Sequence, residues 1–315
     1  MGMLFSVSCN SNNRLNGKTA LITGANSGIG KTTAKDFYIR GARVILACRD
    51  IEKAKTTICT IQQQCESKEN LGELEAVELD LSSLQSVREC AKAILEKEKQ
   101  INILINNAGV MMCPFSRTED GYETQFATNH LGHFLLTLLL LPRIIKSAPA
   151  RIINVSSSAH SFTPIDFSDI NWEKRTYSPM GAYSQSKLSN ILFTKELATR
   201  LKENNIQGVN IYSLHPGVIR TNLGRHVSKK IYFPGLHWLW RNVAPYIIKN
   251  PEQGAQTQIY CAVDEKCANE TGLYYSNCKV IEPSADAKNE QFAKQLWEIS
   301  LNMVGLDENF NPFKT

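Results

Sequence analysis

The sequence predicts an α/β protein with a Rossmann-type, doubly wound sheet of about seven mainly parallel strands and helices on both faces. Three observations predict this fold. Short runs rich in Val, Ile and Leu alternate with longer amphipathic segments from Lys18 onward, which is the pattern of successive βα units. Most of the short runs are apolar throughout, as strands buried on both faces must be. A glycine-rich turn directly follows the first of them.

Seven short segments are predicted to form the strands. Val, Ile or Leu dominates most of them, and such residues fit a buried pleated sheet. In chain order the predicted strands are Thr19–Thr23, Arg43–Cys48, Leu74–Leu79, Ile101–Asn106, Arg151–Ser156, Gly208–Leu214 and Gly272–Tyr275.

The segments between the strands carry apolar residues at intervals of three and four, which is the period of an amphipathic helix. The predicted helices are Ile29–Arg40, Ile51–Gln64, Leu84–Lys99, Tyr122–Ile145, Ala182–Glu203 and Pro251–Cys261. Two segments break this alternation. Residues 161–179 are predicted to form a loop. Residues 222–250, rich in Trp, Tyr and Phe, are predicted to form a substrate lid above the carboxyl ends of the strands; the alternative is that these aromatic residues fill a core.

Composition is that of an ordinary globular protein. Of 315 residues, 43% are hydrophobic and 21% charged, and the net charge of +5 is spread over 35 basic and 30 acidic residues without a basic stripe. We therefore expect no nucleic-acid partner. The nine cysteines form no C-x-x-C pair and are predicted to be reduced. His130 and His133 lack a third ligand, so no metal is expected.

The expected organisation is a single domain at residues 17–308 between a leader at 1–16 and a tail at 309–315. No signal peptide or membrane span is recognisable. The leader begins Met-Gly-Met-Leu-Phe-Ser, which fits the N-myristoylation pattern at Gly2, and Cys9 could carry a second lipid. The sequence thus predicts a cytoplasmic protein with peripheral attachment to the cytosolic face of a membrane. An unmodified leader is the alternative.

The glycine-rich turn has the spacing G-x-x-x-G-x-G, formed by Gly24, Gly28 and Gly30. Gly24 allows a sharp turn, Gly28 lets the backbone approach a pyrophosphate, and Gly30 permits close packing. The turn opens a helix, whose N-terminal N–H groups attract anions. The predicted nucleotide contacts within this segment also include Asn26, Ser27 and Ile29. A purely structural glycine turn is the alternative.

The end of the second strand predicts the cofactor type. Cys48 stands where an acidic residue would bind a ribose 2′-hydroxyl, and Arg49 follows it. An arginine suits a 2′-phosphate, so the sequence favours NADP(H). Asp80 and Leu81, after the third strand, are predicted to reach the adenine. Asn107, Ala108 and Gly109, after the fourth, are small enough for the backbone to pass close to the cofactor, although this segment could be an ordinary turn.

Tyr183 and Lys187 lie four residues apart within a predicted helix. One helical turn brings the phenol beside the ammonium, and a nearby cation should lower the pKa of the tyrosine towards the working pH. The pair is therefore a candidate for general acid catalysis. The alternative is a solvated helix face, where such pairs are common.

Together these motifs resemble those of the short-chain dehydrogenase/reductase superfamily. Segments such as Asn129-His130-Leu131-Gly132-His133-Phe134 and His215-Pro216-Gly217-Val218 are similar to the retinol dehydrogenase branch. The resemblance implies that Tyr183 is the acid/base and Lys187 its partner and a ribose ligand. It also implies that Ser157 holds the substrate oxygen, and that Asn129 anchors a water relay to Lys187. Further implied cofactor contacts are Pro216, Gly217 and Thr221.

The resemblance implies an NADP(H)-dependent oxidoreductase that interconverts retinal and retinol, or a similar apolar aldehyde and alcohol, mainly as a reductase. A steroid or ecdysteroid oxidoreductase is one alternative, and a catalytically idle NADP(H)-sensing scaffold is another. The resemblance also makes a homodimer plausible, paired through the helices that contain Tyr122 and Tyr183. Leu135, Leu136, Leu138 and Leu139 could equally belong to an intramolecular core.

Overall fold

The computed structural model describes residues 7–219, 249–306 and 310–314. Apart from Lys249 and Asn250, the predicted lid at 222–250 lies outside the described residues. Gly2 and Thr221 also lie outside them.

The structure confirms the predicted Rossmann-type sheet, with one more strand than expected. The strands are β1 Thr19–Thr23, β2 Arg43–Cys48, β3 Glu73–Glu78, β4 Ile103–Asn106, β5 Ala150–Val155, β6 Val209–His215, β7 Leu273–Ser276 and β8 Lys279–Val280. Their order across the sheet is β3-β2-β1-β4-β5-β6-β7-β8. Only β8 runs antiparallel to its neighbour. It was not predicted because two exposed residues carry no apolar signal.

The helices follow the predicted alternation. They are α1 Gly28–Ile39, α2 Ile51–Gln64, α3 Leu84–Lys97, α4 Thr124–Phe126, α5 Gly132–Lys146, α6 Pro179–Glu203, α7 Pro251–Val263, α8 Ala285–Lys288 and α9 Glu290–Met303. The prediction of a single helix at Tyr122–Ile145 was wrong in one respect. A π-helical segment at Ala127–Leu131 separates α4 from α5. The helices α8 and α9 were not predicted.

The strand order places a crevice at the centre of the sheet. From β1 the chain builds outward to β3 and then crosses back to β4 on the other side of β1. Ligands of doubly wound sheets bind at such a reversal, outside the carboxyl ends of the strands. The segments that leave β1, β4, β5 and β6 therefore meet at this edge.

Two cores fill the two faces of the sheet, because successive strand residues point in opposite directions. In β1, Leu21 belongs to the core under α3, α5, α6 and α9, whereas Ala20 and Ile22 belong to the core under α1, α2 and α7. The first core contains Leu135, Leu136 and Leu138, with Leu139 packed partly buried against it. These leucines thus contribute to an intramolecular core.

The helix α9 closes the first core from outside. Its Trp297 packs edge-on against Phe134 of α5, with ring centroids 5.1 Å apart. The same indole lies 6.0 Å from the ring of Phe193 on α6, and the guanidinium of Arg200 stacks 4.4 Å above it. In the expected tail, Phe310 and Phe313 also pack against this core.

The described part of the leader is attached to the domain. The backbone N–H of Cys9 donates to Oε1 of Gln256 at 2.9 Å, and Leu15 is buried. The thiol of Cys9 is half-buried, and burial raises its pKa. Within the described residues, no helix combines the length and apolarity that crossing a bilayer requires.

Candidate active site

The glycine turn and the segment after β4 are in direct contact. Gly24 has φ +66°, and a Cβ placed on it would come within 2.9 Å of the Ala108 Cβ. A Cβ on Gly30 would lie 2.6 Å from Nδ2 of Asn107. Glycine is therefore needed at both positions, because the two segments that the sequence assigned to the cofactor approach each other too closely for a side chain. Gly24 is also needed for its left-handed backbone conformation.

The hydroxyl of Thr23, at the end of β1, joins these segments. Its Oγ1 accepts the backbone N–H groups of Asn107 and Ala108, both at 2.9 Å, and lies 2.8 Å from Nε2 of His133. Nδ1 of His133 lies 3.0 Å from the carbonyl oxygen of Asn129. Because a carbonyl can only accept, the proton is on Nδ1, and the Thr23 hydroxyl donates to Nε2. Burial lowers the pKa of His133 to about 3, so the ring is neutral.

Asn129 lies in the π-helical segment and connects it to the segment after β4. Its Oδ1 accepts from the N–H of Val110 at 2.8 Å, and its Nδ2 donates to the Val110 carbonyl and to Oγ of Ser186, both at 2.9 Å. A Cβ on Gly109 would lie 3.1 Å from Oδ1 of Asn129 and 3.6 Å from Nζ of Lys187. The structure thus brings three predicted site residues together: Gly109, Asn129 and Lys187.

Tyr183 and Lys187 are both buried on α6. The Lys187 ammonium donates to the Val155 carbonyl at 3.0 Å and lies 5.8 Å from the centroid of the Tyr183 ring. Burial raises the pKa of Tyr183 to about 12, against a smaller lowering effect of its hydrogen bond with the Ser157 hydroxyl. The expectation that the pKa of Tyr183 would be lowered by Lys187 was wrong, because burial dominates and raises this pKa instead. Burial also lowers the pKa of Lys187 to about 8.

Of the three serines after β5, only Ser157 reaches Tyr183. Its hydroxyl bonds the phenol and accepts from the N–H of Ala159 at 3.2 Å. Ser156 is buried and donates instead to the carbonyl of Lys187 at 2.6 Å. The structure therefore brings Ser157, Tyr183 and Lys187 to one point at the carboxyl end of β5.

The ends of β2 and β3 present an exposed cation beside a carboxylate. Arg49 is 68% exposed, and its guanidinium lies 3.9 Å from Oδ2 of Asp80. Asp50 faces away from this position, since its carboxylate caps α2 by accepting the N–H of Lys53 at 2.9 Å. Cys48 is buried, and its thiol bonds the backbone of the glycine turn. Arg49 is thus an exposed cation that a ligand can reach at this edge of the sheet.

The remaining predicted cofactor contacts lie around the crevice. Leu81 packs against the start of α5, where a Cβ on Gly132 would come within 2.6 Å of its carbonyl oxygen. Pro216 is buried after β6, and Gly217 has φ +95° beside the side chain of Lys249. Thr221 lies outside the described residues.

Sequence reasoning missed the roles of Thr23 and His160. Both are ordinary residue types whose partners come from distant segments, so no local pattern marks them. The ring of His133 hydrogen-bonds the Asn129 carbonyl one turn earlier. His130 packs between Phe126 and Phe134 and bonds Oγ of Ser300 at 2.9 Å. In the part of the chain that the structure describes, no group of three His, Cys, Asp or Glu residues is placed to hold a metal ion.

Comparisons with known proteins identify the family of this chain. The profile of the short chain dehydrogenase family matches residues 18–231. Retinol dehydrogenase 11 of Homo sapiens is 47% identical over 304 residues, which cover 96% of this chain and 91% of the human protein. The crystal structure of an uncharacterized protein from Mycobacterium paratuberculosis has a TM-score of 0.76 and 33% identity, covering 98% of this chain and 100% of that chain. The Pseudomonas aeruginosa RhlG/NADP active-site complex has a TM-score of 0.64 and 26% identity, covering 89% of this chain and 98% of that chain.

The chain therefore belongs to the short-chain dehydrogenase family. Within that family it falls in the retinol dehydrogenase branch, and it is an oxidoreductase of the kind that binds a nicotinamide cofactor.

The described residues fit such a cofactor. The glycine turn lies at the carboxyl end of β1, packed against Asn107 and Ala108, where dinucleotides bind in folds of this type. Ser27, at the start of α1, makes no side-chain cap, so its side chain does not satisfy the first N–H groups of the helix, which can bind phosphate oxygens. Oδ1 of Asn107 is buried and has no hydrogen-bond partner in the described structure. Such an acceptor is costly unless a ligand satisfies it.

The Thr23 hydroxyl gives a test of this assembly. Thr23→Val removes the acceptor shared by the N–H groups of Asn107 and Ala108. Leaving buried groups unpaired should reduce the free energy of unfolding by about 1–3 kcal/mol and weaken cofactor binding. Urea denaturation and cofactor titration measure the two effects. Thr23→Ser keeps the hydroxyl and is the matched control; equal losses in the two variants would contradict the role of the hydroxyl.

Proposed function

We propose that this chain is an NADP(H)-dependent oxidoreductase that interconverts retinal and retinol, or a similar apolar aldehyde and alcohol, mainly as a reductase. The observation that carries the proposal is the contact between the Ser157 hydroxyl and the buried phenol of Tyr183, one helical turn from the buried ammonium of Lys187. The human relative named retinol dehydrogenase 11 supports the substrate class.

In this proposal Tyr183 protonates the substrate oxygen during reduction. A phenol with a pKa of about 12 is fully protonated at neutral pH, which is the form that a proton donor requires. The Ser157 hydroxyl donates to the same oxygen and stabilises the negative charge that develops on it. A bound nicotinamide supplies the hydride.

Lys187 and Asn129 would serve the return of the proton to Tyr183. Lys187 has its pKa lowered to about 8 by burial, so it can both hold and release a proton near physiological pH. The Asn129 carbonyl accepts from the ring of His133 and is the group proposed to hold a relay water. Both Nδ2 protons of the Asn129 side chain are already donated, to Val110 and to Ser186.

The preference for NADP(H) rests on Arg49. Its exposed guanidinium stands at the carboxyl end of β2, where the ribose of a dinucleotide lies in folds of this type. Asp50, the adjacent acidic residue, is already used to cap α2. The solved relative from Pseudomonas aeruginosa with NADP in its active site supports the same cofactor.

An apolar rim around the crevice supports an apolar substrate. Apart from Val7, the exposed large hydrophobic side chains of the described residues lie in three kinds of place. They follow the carboxyl end of a central or neighbouring strand, lie at the start of α6, or lie at β8 beside the end of β7. These rim residues are Phe115, Phe162, Met180, Val218, Val280 and Ile281. Met180 lies three residues before Tyr183 and hence on the same face of α6. A long apolar molecule whose oxygen reaches Tyr183 would cover part of this surface.

No observation specifically favours either of the two alternative functions, a steroid oxidoreductase or a catalytically idle scaffold. The apolar rim would also accept a steroid, but relatives that are 46–47% identical are named for retinol. An idle scaffold would have no need of Ser157 beside the buried side chains of Tyr183 and Lys187.

Membrane attachment is proposed through Gly2 alone, on the strength of the N-terminal motif. The half-buried position of Cys9 and the raised pKa of its thiol oppose acylation at that residue. A homodimer remains a proposal. Because α9 covers the aromatic residues of α5 and α6, such a dimer would have to form over α9 or use another surface.

Replacing the phenol tests the proposed acid. Tyr183→Phe should lower kcat for retinal reduction by about 10²–10⁴-fold, the usual contribution of a general acid. Steady-state kinetics with NADPH measures this. Tyr122→Phe is the matched control, since its phenol bonds the Met303 carbonyl at 2.6 Å, remote from the crevice. A Tyr183→Phe variant as fast as wild type would rule the proposal out.

Replacing the exposed arginine tests the cofactor type. Arg49→Ala should raise KM for NADPH roughly 10- to 100-fold, because one charge-assisted contact with phosphate is lost, while KM for NADH changes little. Lys55→Ala removes an exposed cation of α2 and should leave the NADPH-to-NADH ratio unchanged. Equal effects of Arg49→Ala on both cofactors would refute the 2′-phosphate assignment.

The apolar rim predicts a dependence on substrate length. Phe162 is 65% exposed, and Phe162→Asp should raise KM for all-trans-retinal about tenfold through lost apolar contact, with little effect on butanal. Kinetics with both aldehydes gives the comparison. Val7→Asp changes an exposed apolar residue outside the rim and serves as control. A loss of the same size for both aldehydes would show that the rim does not contact the long substrate.

A further inference from the structure

The imidazole of His160 connects Ser157 to a segment far along the chain. His160 is buried three residues after Ser157. Its Nδ1 lies 2.7 Å from the Ser157 carbonyl oxygen, and its Nε2 accepts the backbone N–H of Ser284 at 3.0 Å. Because the N–H of Ser284 can only donate, the ring proton is on Nδ1 and is donated to Ser157. Burial lowers the pKa of His160, which favours this neutral tautomer.

The ring of His160 is held in place by Tyr274 on β7. The two rings meet edge to face with centroids 5.1 Å apart and an interplanar angle of 70°. The carbonyl of Tyr274 in turn accepts from the N–H of Ile281 at 2.9 Å. The imidazole is therefore enclosed between the last parallel strand and the segment that leads to Ser284.

The turn that begins at Ser157 is also restrained on either side of this serine. Before it, the N–H of Ser156 donates to the Leu214 carbonyl at 2.7 Å. The N–H of Ser158 donates to Nδ1 of His215 at 3.1 Å, and the Ser184 hydroxyl donates to the Ala159 carbonyl. The carbonyl of Ser157 itself accepts twice from His160, from the backbone N–H at 3.1 Å and from Nδ1.

We propose that His160 is a positioning residue that orients Ser157 by tying its carbonyl to the backbone of Ser284. The inference rests on the proposed role of Ser157 and adds to it a second requirement, the segment after β8. A hydroxyl that must meet a substrate oxygen and Tyr183 at once tolerates little displacement, since an error of about 1 Å can cost a factor of 10² in rate.

Ser284 offers a matched pair of variants that separates its N–H from its hydroxyl. Its φ of −58° is compatible with proline, so Ser284→Pro removes the N–H with little change of backbone. The Ser284 hydroxyl is buried and has no partner in the described structure, so Ser284→Ala removes an unused group. We expect Ser284→Pro to lower kcat roughly tenfold with unchanged NADPH affinity, and Ser284→Ala to behave as wild type.

Substitutions of the ring test the same connection from the other side. His160→Phe keeps the ring packing on Tyr274 and loses the hydrogen bonds to Ser157 and Ser284, together with the 3.5 Å contact between Nδ1 and the Tyr274 hydroxyl. His160→Asn keeps a donor near the Nδ1 position. We expect kcat to fall by a similar factor in His160→Phe and Ser284→Pro, and to be partly restored in His160→Asn. Thermal denaturation and NADPH titration establish that each variant is folded and binds cofactor.

A double-mutant comparison distinguishes positioning from a general structural role. If His160 acts through Ser157, His160→Phe should cause no further loss of kcat in a Ser157→Ala background. A further loss of the same size there, or equal kcat for Ser284→Pro and Ser284→Ala, would overturn the inference. A Ser157→Ala variant with wild-type kcat would instead refute the proposed role of Ser157, a separate outcome that the single variant reveals.

Discussion

A buried ammonium is the constraint on which the site depends. Lys187 is only 3% exposed, and removing a charged amine from water is costly unless hydrogen bonds compensate. The Val155 carbonyl at the end of β5 provides one such bond, and Gly109 leaves the space in which the ammonium lies beside Asn129. The lowered pKa of Lys187 shows that this compensation is incomplete. A buried ammonium that destabilises the fold in this way is typical of functional sites, where the charged group takes part in the chemistry.

The remaining parts of the site are arranged around the same point by the sheet. The reversal between β1 and β4 brings the glycine turn against the segment of Asn107 and Ala108, and the Thr23 hydroxyl joins the two. The same hydroxyl reaches His133 and, through it, the Asn129 carbonyl. The glycine turn, Asn129 and Tyr183 thus belong to one hydrogen-bonded network, since Ser186 accepts from the Asn129 side chain and donates to the Tyr183 carbonyl.

The sequence predicted those features that are local or periodic. Strands such as β1 and β2 were predicted to the residue because an apolar run with clear turn residues has one interpretation. Tyr183, Lys187 and Gly24 were recognisable from spacing within a single turn or helix. The opposite direction of the Tyr183 pKa shift was not predictable, since it depends on how completely α6 is covered by distant segments. The same holds for His160, whose partner Ser284 is 124 residues away.

The π-helical segment at Ala127–Leu131 determines how α4 and α5 respond when a residue is deleted between them. A widened turn holds one residue more than an α-helical turn of the same pitch, so it behaves as a single-residue insertion between two regular helices. Deleting one residue there would convert the segment to a regular α-helical turn and leave α4 and α5 close to their present relative phase, because five residues of a π-helix turn the chain about as far as four of an α-helix. Phe126 and the leucines of α5 would therefore stay in the core. The loss would fall on the widened turn itself, which holds Asn129 and the carbonyl that His133 bonds.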